Sequence, residues 1–88
     1  MTGYEGCLAV SLAGKDAGTI CLILREEEKY LFIADGRGRR VETPKKKNRK
    51  HVRLITGEQG EPVRFSEKTL TNRFLRIWLR EHAGRVQV

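Results

Sequence analysis

The chain has 88 residues, 39% of them hydrophobic and 33% charged, with a formal net charge of +7 at pH 7. That length holds one domain with a small core, and the composition is that of a folded chain, not a disordered one. No apolar run is longer than five residues, as in Ile20-Cys21-Leu22-Ile23-Leu24, whereas a membrane-spanning helix needs about twenty.

In chain order, Cys7 to Ala13 is apolar, with Leu8, Val10 and Leu12 in step at period two. Gly14-Lys15-Asp16-Ala17-Gly18 is a turn with a glycine at each end. Thr19 to Leu24 follows as a second strand, with Ile20, Leu22 and Leu24 sharing a face. Arg25-Glu26-Glu27-Glu28-Lys29 reads as a solvated loop tip. Tyr30 to Ala34 is aromatic and β-branched, a third strand. Its Tyr30 and Phe32 share a face and are expected to pack in the core, because they lack the spacing of an RNA-stacking motif. Asp35-Gly36 is a hairpin signal, Arg39 to Glu42 a short fourth strand, and Pro44 its end. Lys45 to Lys50 (KKKNRK) is polar enough to read as an exposed loop, and His51 to Ile55 as a fifth strand that can close the sheet.

Residues 58–65 have the composition of a linker. Then the period changes. Leu70, Phe74, Ile77 and Trp78 form a helical stripe within residues 66–83, with Ser66 or Thr71 as N-cap, Arg80 and His82 near the C-terminal end and Gly84 just past it. The stripe is expected to pack on the sheet; the rival reading is a protein-docking helix with Trp78 as anchor. Five strands (residues 1–57) and one helix make a mainly β protein, a small β-barrel with a C-terminal α-helix.

Cys7 and Cys21 are expected as reduced, buried thiols of a cytoplasmic protein, since small secreted disulfide scaffolds carry four or more cysteines. Met1 to Glu5 resembles no secretory signal. The cysteines, His51 and His82 have no zinc spacing, and Gly14-Lys15-Asp16 is not a phosphate-binding P-loop. No catalytic constellation, metal or cofactor is read, so an enzyme is not expected.

The charge is local. Arg37 to Arg53 (RGRRVETPKKKNRKHVR) holds nine Lys/Arg and one Glu, while the other 71 residues hold nine Lys/Arg and ten Asp/Glu. A charge run is commonly just a solvated face, but here strands bracket it, and holding like charges together costs folding free energy unless a polyanion neutralises them. The patch therefore points to nucleic acid. No helix is available to enter a B-form major groove, and a Lys/Arg-rich loop suits phosphate and shape recognition of folded RNA. Arg37, Arg39 and Arg40 can fork onto phosphates or stack on bases. Lys45, Lys46, Lys47, Arg49, Lys50 and Arg53 supply further charge, His51 can stack or donate, and Lys15 stands at the tip of the first turn.

Leu8 to Ile20, with Gly18 at the obligatory glycine and Leu8, Val10, Ile20 and Leu22 at the alternating positions, resembles a KOW motif. The likeness continues through Ala34-Asp35-Gly36 and Glu42-Thr43-Pro44-Lys45-Lys46-Lys47 to Lys50-His51-Val52. Over about residues 6–55 the chain is similar to small bacterial KOW-domain RNA-binding proteins, themselves similar to an archaeal and eukaryotic group of large-subunit ribosomal proteins. The resemblance implies an SH3-like barrel, RNA binding and a place near ribosomal RNA or the ribosome. The expected protein is monomeric when free and non-catalytic. The alternatives are a protein-interaction module of the transcription or translation machinery, and a nonspecific DNA binder.

Overall fold

Alternating residues build the first three strands of a computed structural model, which describes residues 3–83. Strand β1 (Leu8–Ser11) pairs antiparallel with β2 (Ile20–Glu26), Ala9 facing Cys21. The turn between them closes as expected. The Gly18 N–H donates to the Ser11 carbonyl at 2.7 Å and the Ser11 N–H to the Thr19 carbonyl at 3.0 Å. Strand β3 (Tyr30–Ala34) pairs with β2 through a register shift between Ile23 and Arg25.

The remaining strands complete a five-stranded antiparallel sheet of order β4-β3-β2-β1-β5, with β4 at Lys45–Asn48 and β5 at Val52–Leu54. The two edge strands are joined only by a 3₁₀ turn, Arg49–His51. Such a connection spans at most roughly 14 Å, whereas the edges of a flat five-stranded sheet lie roughly 19 Å apart. The sheet therefore curls. No pairing joins β4 to β5, so its hydrogen-bonded ladder is not closed.

Curling explains the burial. Cys7, Ala9, Cys21, Ile23, Leu31 and Ile33 form one core cluster, with Val52 and Leu54 packed against it. The second cluster, Leu8, Leu22, Ala34 and Ile55, lies under helix α1 (Asn72–Ala83) with its Leu75, Trp78 and Leu79. All four residues of β1 are buried, while Leu12 is 50% exposed. The period of two expected for Leu8, Val10 and Leu12 fails because a strand covered on both faces has no polar side to alternate with.

The fourth strand lies later than expected. Arg39 to Glu42 is not a strand: the Arg39 carbonyl accepts from the N–H groups of Asp35 and Gly36, and the Thr43 N–H donates to the Arg40 carbonyl. The strand is instead the lysine run, with Lys45 opposite Ile33 and Asn48 opposite Tyr30. Pairing uses backbone groups, an edge strand tolerates lysine, and Pro44 sits just ahead of the first paired residue. Residues 58–65, read as a linker, also bond to the sheet. The Val63 N–H donates to the Ile55 carbonyl, the Leu8 N–H to Val63, and the Phe65 N–H to Gly6.

The helix starts at Asn72, not near residue 66. The Thr71 hydroxyl accepts from the Phe74 N–H at 3.1 Å and so is the N-cap, not Ser66. Gly84, expected past the C-terminus, lies outside the described residues. The buried stripe is Leu75, Trp78 and Leu79, with Phe74 and Ile77 half-buried and Leu70 exposed ahead of the helix. The Phe65 ring meets Trp78 edge-on at 5.0 Å, and His82 stacks on Trp78 at 3.7 Å. Trp78 is thus an internal contact, not the free anchor of a docking helix.

The N-terminal turn of the helix grips the loop after β3. The Asn72 side chain accepts from the Val41 N–H at 2.8 Å and donates to Glu42 at 2.7 Å. Arg76 donates to the Gly36 carbonyl at 3.1 Å. Gly36 has φ +79°, and a Cβ there would overlap the Asn72 carbonyl oxygen.

Trp78→Ala should cost about 3–5 kcal/mol, a large share of the usual 5–15 kcal/mol, read as a lower urea midpoint. Wild-type tryptophan emission should be blue-shifted and protected from quencher; red-shifted, readily quenched emission would contradict the packing. In thermal melts Gly36→Ala should be less stable than Gly18→Ala. A residue added at Gly18 meets nothing within 4 Å and bears only the roughly 1–2 kcal/mol of left-handed backbone, whereas one at Gly36 also displaces the helix.

Candidate nucleic-acid interface

Lysines 45 to 47 alternate as strand residues do. Lys46 points to solvent; Lys47 points inward and is only 8% exposed. The Lys47 Nζ donates to the Asp16 carboxylate at 2.8 Å and to the Ala13 carbonyl at 2.6 Å. Gly14 makes room for it, since a Cβ there would stand 3.1 Å from the ammonium. The Ser11 hydroxyl donates to the same Asp16 oxygen at 3.0 Å. Burial alone would push the Asp16 carboxyl up, but the hydrogen bonds from Lys47 and Ser11 and the Lys47 charge outweigh it and hold the group below its usual range. The expectation that Lys47 contacts RNA is corrected: its charge is neutralised inside the fold.

Arg49 is likewise engaged. Its guanidinium pairs with Glu26 at 2.8 Å and donates to the carbonyls of Glu27 and Glu28 at 2.5 and 3.1 Å. Its Cζ lies 4.9 Å from the centre of the Tyr4 ring. Arg49 thus ties the 3₁₀ turn to the β2–β3 connection and is not a free phosphate ligand. Glu26, expected at a solvated tip, is the half-buried partner in this clamp. A cation inside a charge run is assigned to structure or surface only by its partners, which lie more than twenty residues away.

The other site residues stay at the surface. Arg40 meets Glu42 at 3.6 Å, and Arg39 lies 3.9 Å from Asp16, whose second oxygen has no hydrogen bond among the described residues. Lys15, Arg37, Lys45, Lys46, Lys50 and Arg53 have no ion-pair partner among the described residues. Lys15, Arg37 and Arg39 line one shallow groove with Thr19 and Gly38. The acids of this groove are occupied from within. Asp35 accepts from the backbone N–H groups of Arg37 and Arg39 at 2.9 and 3.0 Å, and Asp16 is held by Lys47. The loops thus present cations outward while their carboxylates hold the fold. Lys50 and His51, both exposed, occupy the corner between β4 and β5, and Arg53 follows on β5. The His51 carbonyl accepts from the Leu12 N–H at 2.8 Å, which sets that corner beside the start of the β1–β2 connection.

Tyr30 and Phe32 do not take the core position expected of them. Leu31 and Ile33 occupy it, leaving Phe32 half-buried and Tyr30 36% exposed. The period of two placed the pair on one face; which face meets solvent depends on how the sheet curls. Both cysteine thiols are free and buried. Burial pushes the Cys21 thiol up to about 12 and raises that of Cys7, so neither is a ready nucleophile.

Lys47→Ala should destabilise the fold by about 1–3 kcal/mol, because it leaves a half-buried carboxylate without its main partner, while Lys50→Ala should stay within about 0.5 kcal/mol; chemical denaturation separates them. The pH dependence follows from Asp16. Its folded-state pKa is lowered, so its contribution is complete above the unfolded value of about 3.9 and is lost as pH falls through the folded one. The stability gap between wild type and Asp16→Asn should hold steady from about pH 8 to 5 and narrow below about pH 4.

No protein-family model and no curated protein matches this chain.

Proposed function

We propose that the chain is a non-catalytic RNA-binding protein, an SH3-like barrel of the KOW type that binds structured ribosomal RNA or the ribosome. The observation that carries this reading is the division of charge in the Arg37–Arg53 segment and its neighbouring turn. Lys47 and Arg49 are bound into the fold, whereas Lys15, Arg37, Lys46, Lys50 and Arg53 stay at the surface with no ion-pair partner among the described residues. Unneutralised like charges held on one small fold are costly to bring together and are relieved by a polyanion. The strand order and the three-residue link between the edge strands support the barrel, and the positive φ of Gly18 (+87°) supports the KOW turn. Surface loops that offer point charges, with no helix in the basic segment, favour folded RNA over B-form DNA. The protein-interaction alternative is weakened by the helix, whose apolar stripe is buried against the sheet.

Arg37→Ala combined with Lys50→Ala should leave the melting temperature nearly unchanged and weaken binding to different structured RNAs to a similar degree. The log–log salt slope should fall by about 0.7 for each phosphate that is no longer neutralised. Unchanged affinity and slope would remove these cations from the interface. Preferential competition by duplex DNA would turn the reading toward a nonspecific DNA binder.

A further inference from the structure

Helix α1 covers only part of the outer face of the sheet. Under it lie Leu22 and Ala34, with Leu24 packed at the margin. Further along β3 on the same face come Phe32 and then Tyr30, with no helix over them. The register sets Phe32 between Arg25 on β2 and Lys46 on β4. The Arg25 guanidinium carbon stands 4.1 Å from the centre of the Phe32 ring, and the Lys46 ammonium 4.3 Å from that of Tyr30; Arg25 also pairs with Glu27 at 3.1 Å, a solvent-exposed contact that a phosphate can displace. A shallow depression beside Phe32 is lined by Leu24, Val41 and Pro44.

We propose that Tyr30 and Phe32 form a stacking platform for two consecutive unpaired bases of RNA, with Arg25 and Lys46 taking the adjoining phosphates. The inference rests on the RNA-binding reading above and adds the kind of RNA to it: a looped-out or single-stranded segment beside a structured one. Residues two apart on a strand stand roughly 7 Å apart, a separation that consecutive nucleotides of an extended strand can match. Stacking on an aromatic ring tolerates any base, and a neighbouring cation adds to it. The cations now over the rings are on exposed side chains. A base can replace them there, since a solvent-exposed cation–π contact is weak beside base stacking, and the displaced charge is left next to the backbone of the nucleotide it admits. Charge complementarity decides the occupant. A protein-docking patch would offer a broad aliphatic area with few cations. Here each ring carries a cation, and the large exposed apolar side chains among the described residues are Leu12, Tyr30 and Leu70, on three different segments.

The test compares a short fluorescent oligouridylate with a fully paired RNA duplex of equal length. Tyr30→Leu combined with Phe32→Leu keeps apolar bulk and removes the ring faces; a circular-dichroism melt checks its fold. The double variant should bind the oligouridylate at least about tenfold more weakly and the duplex within about twofold of wild type. Should it melt early, Tyr30→Leu alone, at the more exposed ring, should still weaken oligouridylate binding severalfold, and ring-proton shifts of Tyr30 should follow oligouridylate addition to wild type. Full retention of single-strand affinity, or equal loss on both RNAs, overturns the platform and leaves the general RNA interface standing. Retention would give the patch to another occupant, such as a protein surface. Failure of wild type to bind either RNA overturns both readings.

Discussion

The ion pair between Lys47 and Asp16 is the contact that seats the edge strand β4 in the curled sheet. Lys47 belongs to an edge strand, and Asp16 to the turn between two strands that β4 does not pair with. Their 2.8 Å contact therefore joins the edge strand to a turn with which it shares no backbone ladder. Taking an ammonium and a carboxylate out of water costs several kcal/mol for each ion, so the pair adds little net stability over an apolar substitute. Its effect is on register. A slip of one residue that set Asn48 opposite Leu31 would turn Lys47 to solvent and put an uncharged amide where the ammonium now meets Asp16. Arg49 ties the chain just after β4 to the β2–β3 connection, through Glu26 and the carbonyls of Glu27 and Glu28.

From that constraint follows the partition of the basic segment. In an alternating strand one lysine must face in whenever its neighbours face out. The inward one needs a carboxylate, which the glycine turn supplies. The outward one, Lys46, is left at the surface with no ion-pair partner among the described residues. The same carboxylates that would otherwise weaken an anion site, Asp16 and Asp35, accept from Lys47 and from loop backbone groups. With Asp16 neutralised by Lys47, the cations Lys15, Arg37 and Arg39 outnumber the one remaining carboxylate of the groove, Asp35, and leave it net positive.

Helix α1 has a second consequence beyond closing the core. Asn72 and Arg76 hold the loop of residues 36–42 by its backbone, and Gly36 permits the approach. The arginines of that loop thus project from a fixed support instead of a free tail, which lowers the ordering entropy that a ligand must overcome. The helix packs over Leu22 and Ala34, with Leu24 at the margin, and leaves the Tyr30 end of β3 to solvent and to the cations beside it.

Period-two patterning in Ile20–Leu24 and Tyr30–Ala34, the glycines of the first turn and the 3.6-residue spacing near Trp78 are local properties. They determined β1, β2 and β3 in outline, the existence of α1 and its burial against the sheet, and the concentration of charge between Arg37 and Arg53. Other features are decided by partners distant in the chain, and only the tertiary structure held them. Lys45–Asn48 is a strand because β3 offers it a backbone edge, despite side chains that read as loop. Lys47 and Arg49 are structural because Asp16 and Glu26, distant in sequence, reach them. Tyr30 and Phe32 face outward because the curl turns Leu31 and Ile33 inward. Residue type and spacing establish which side chains share a face; only the closing of the sheet decides which face water sees.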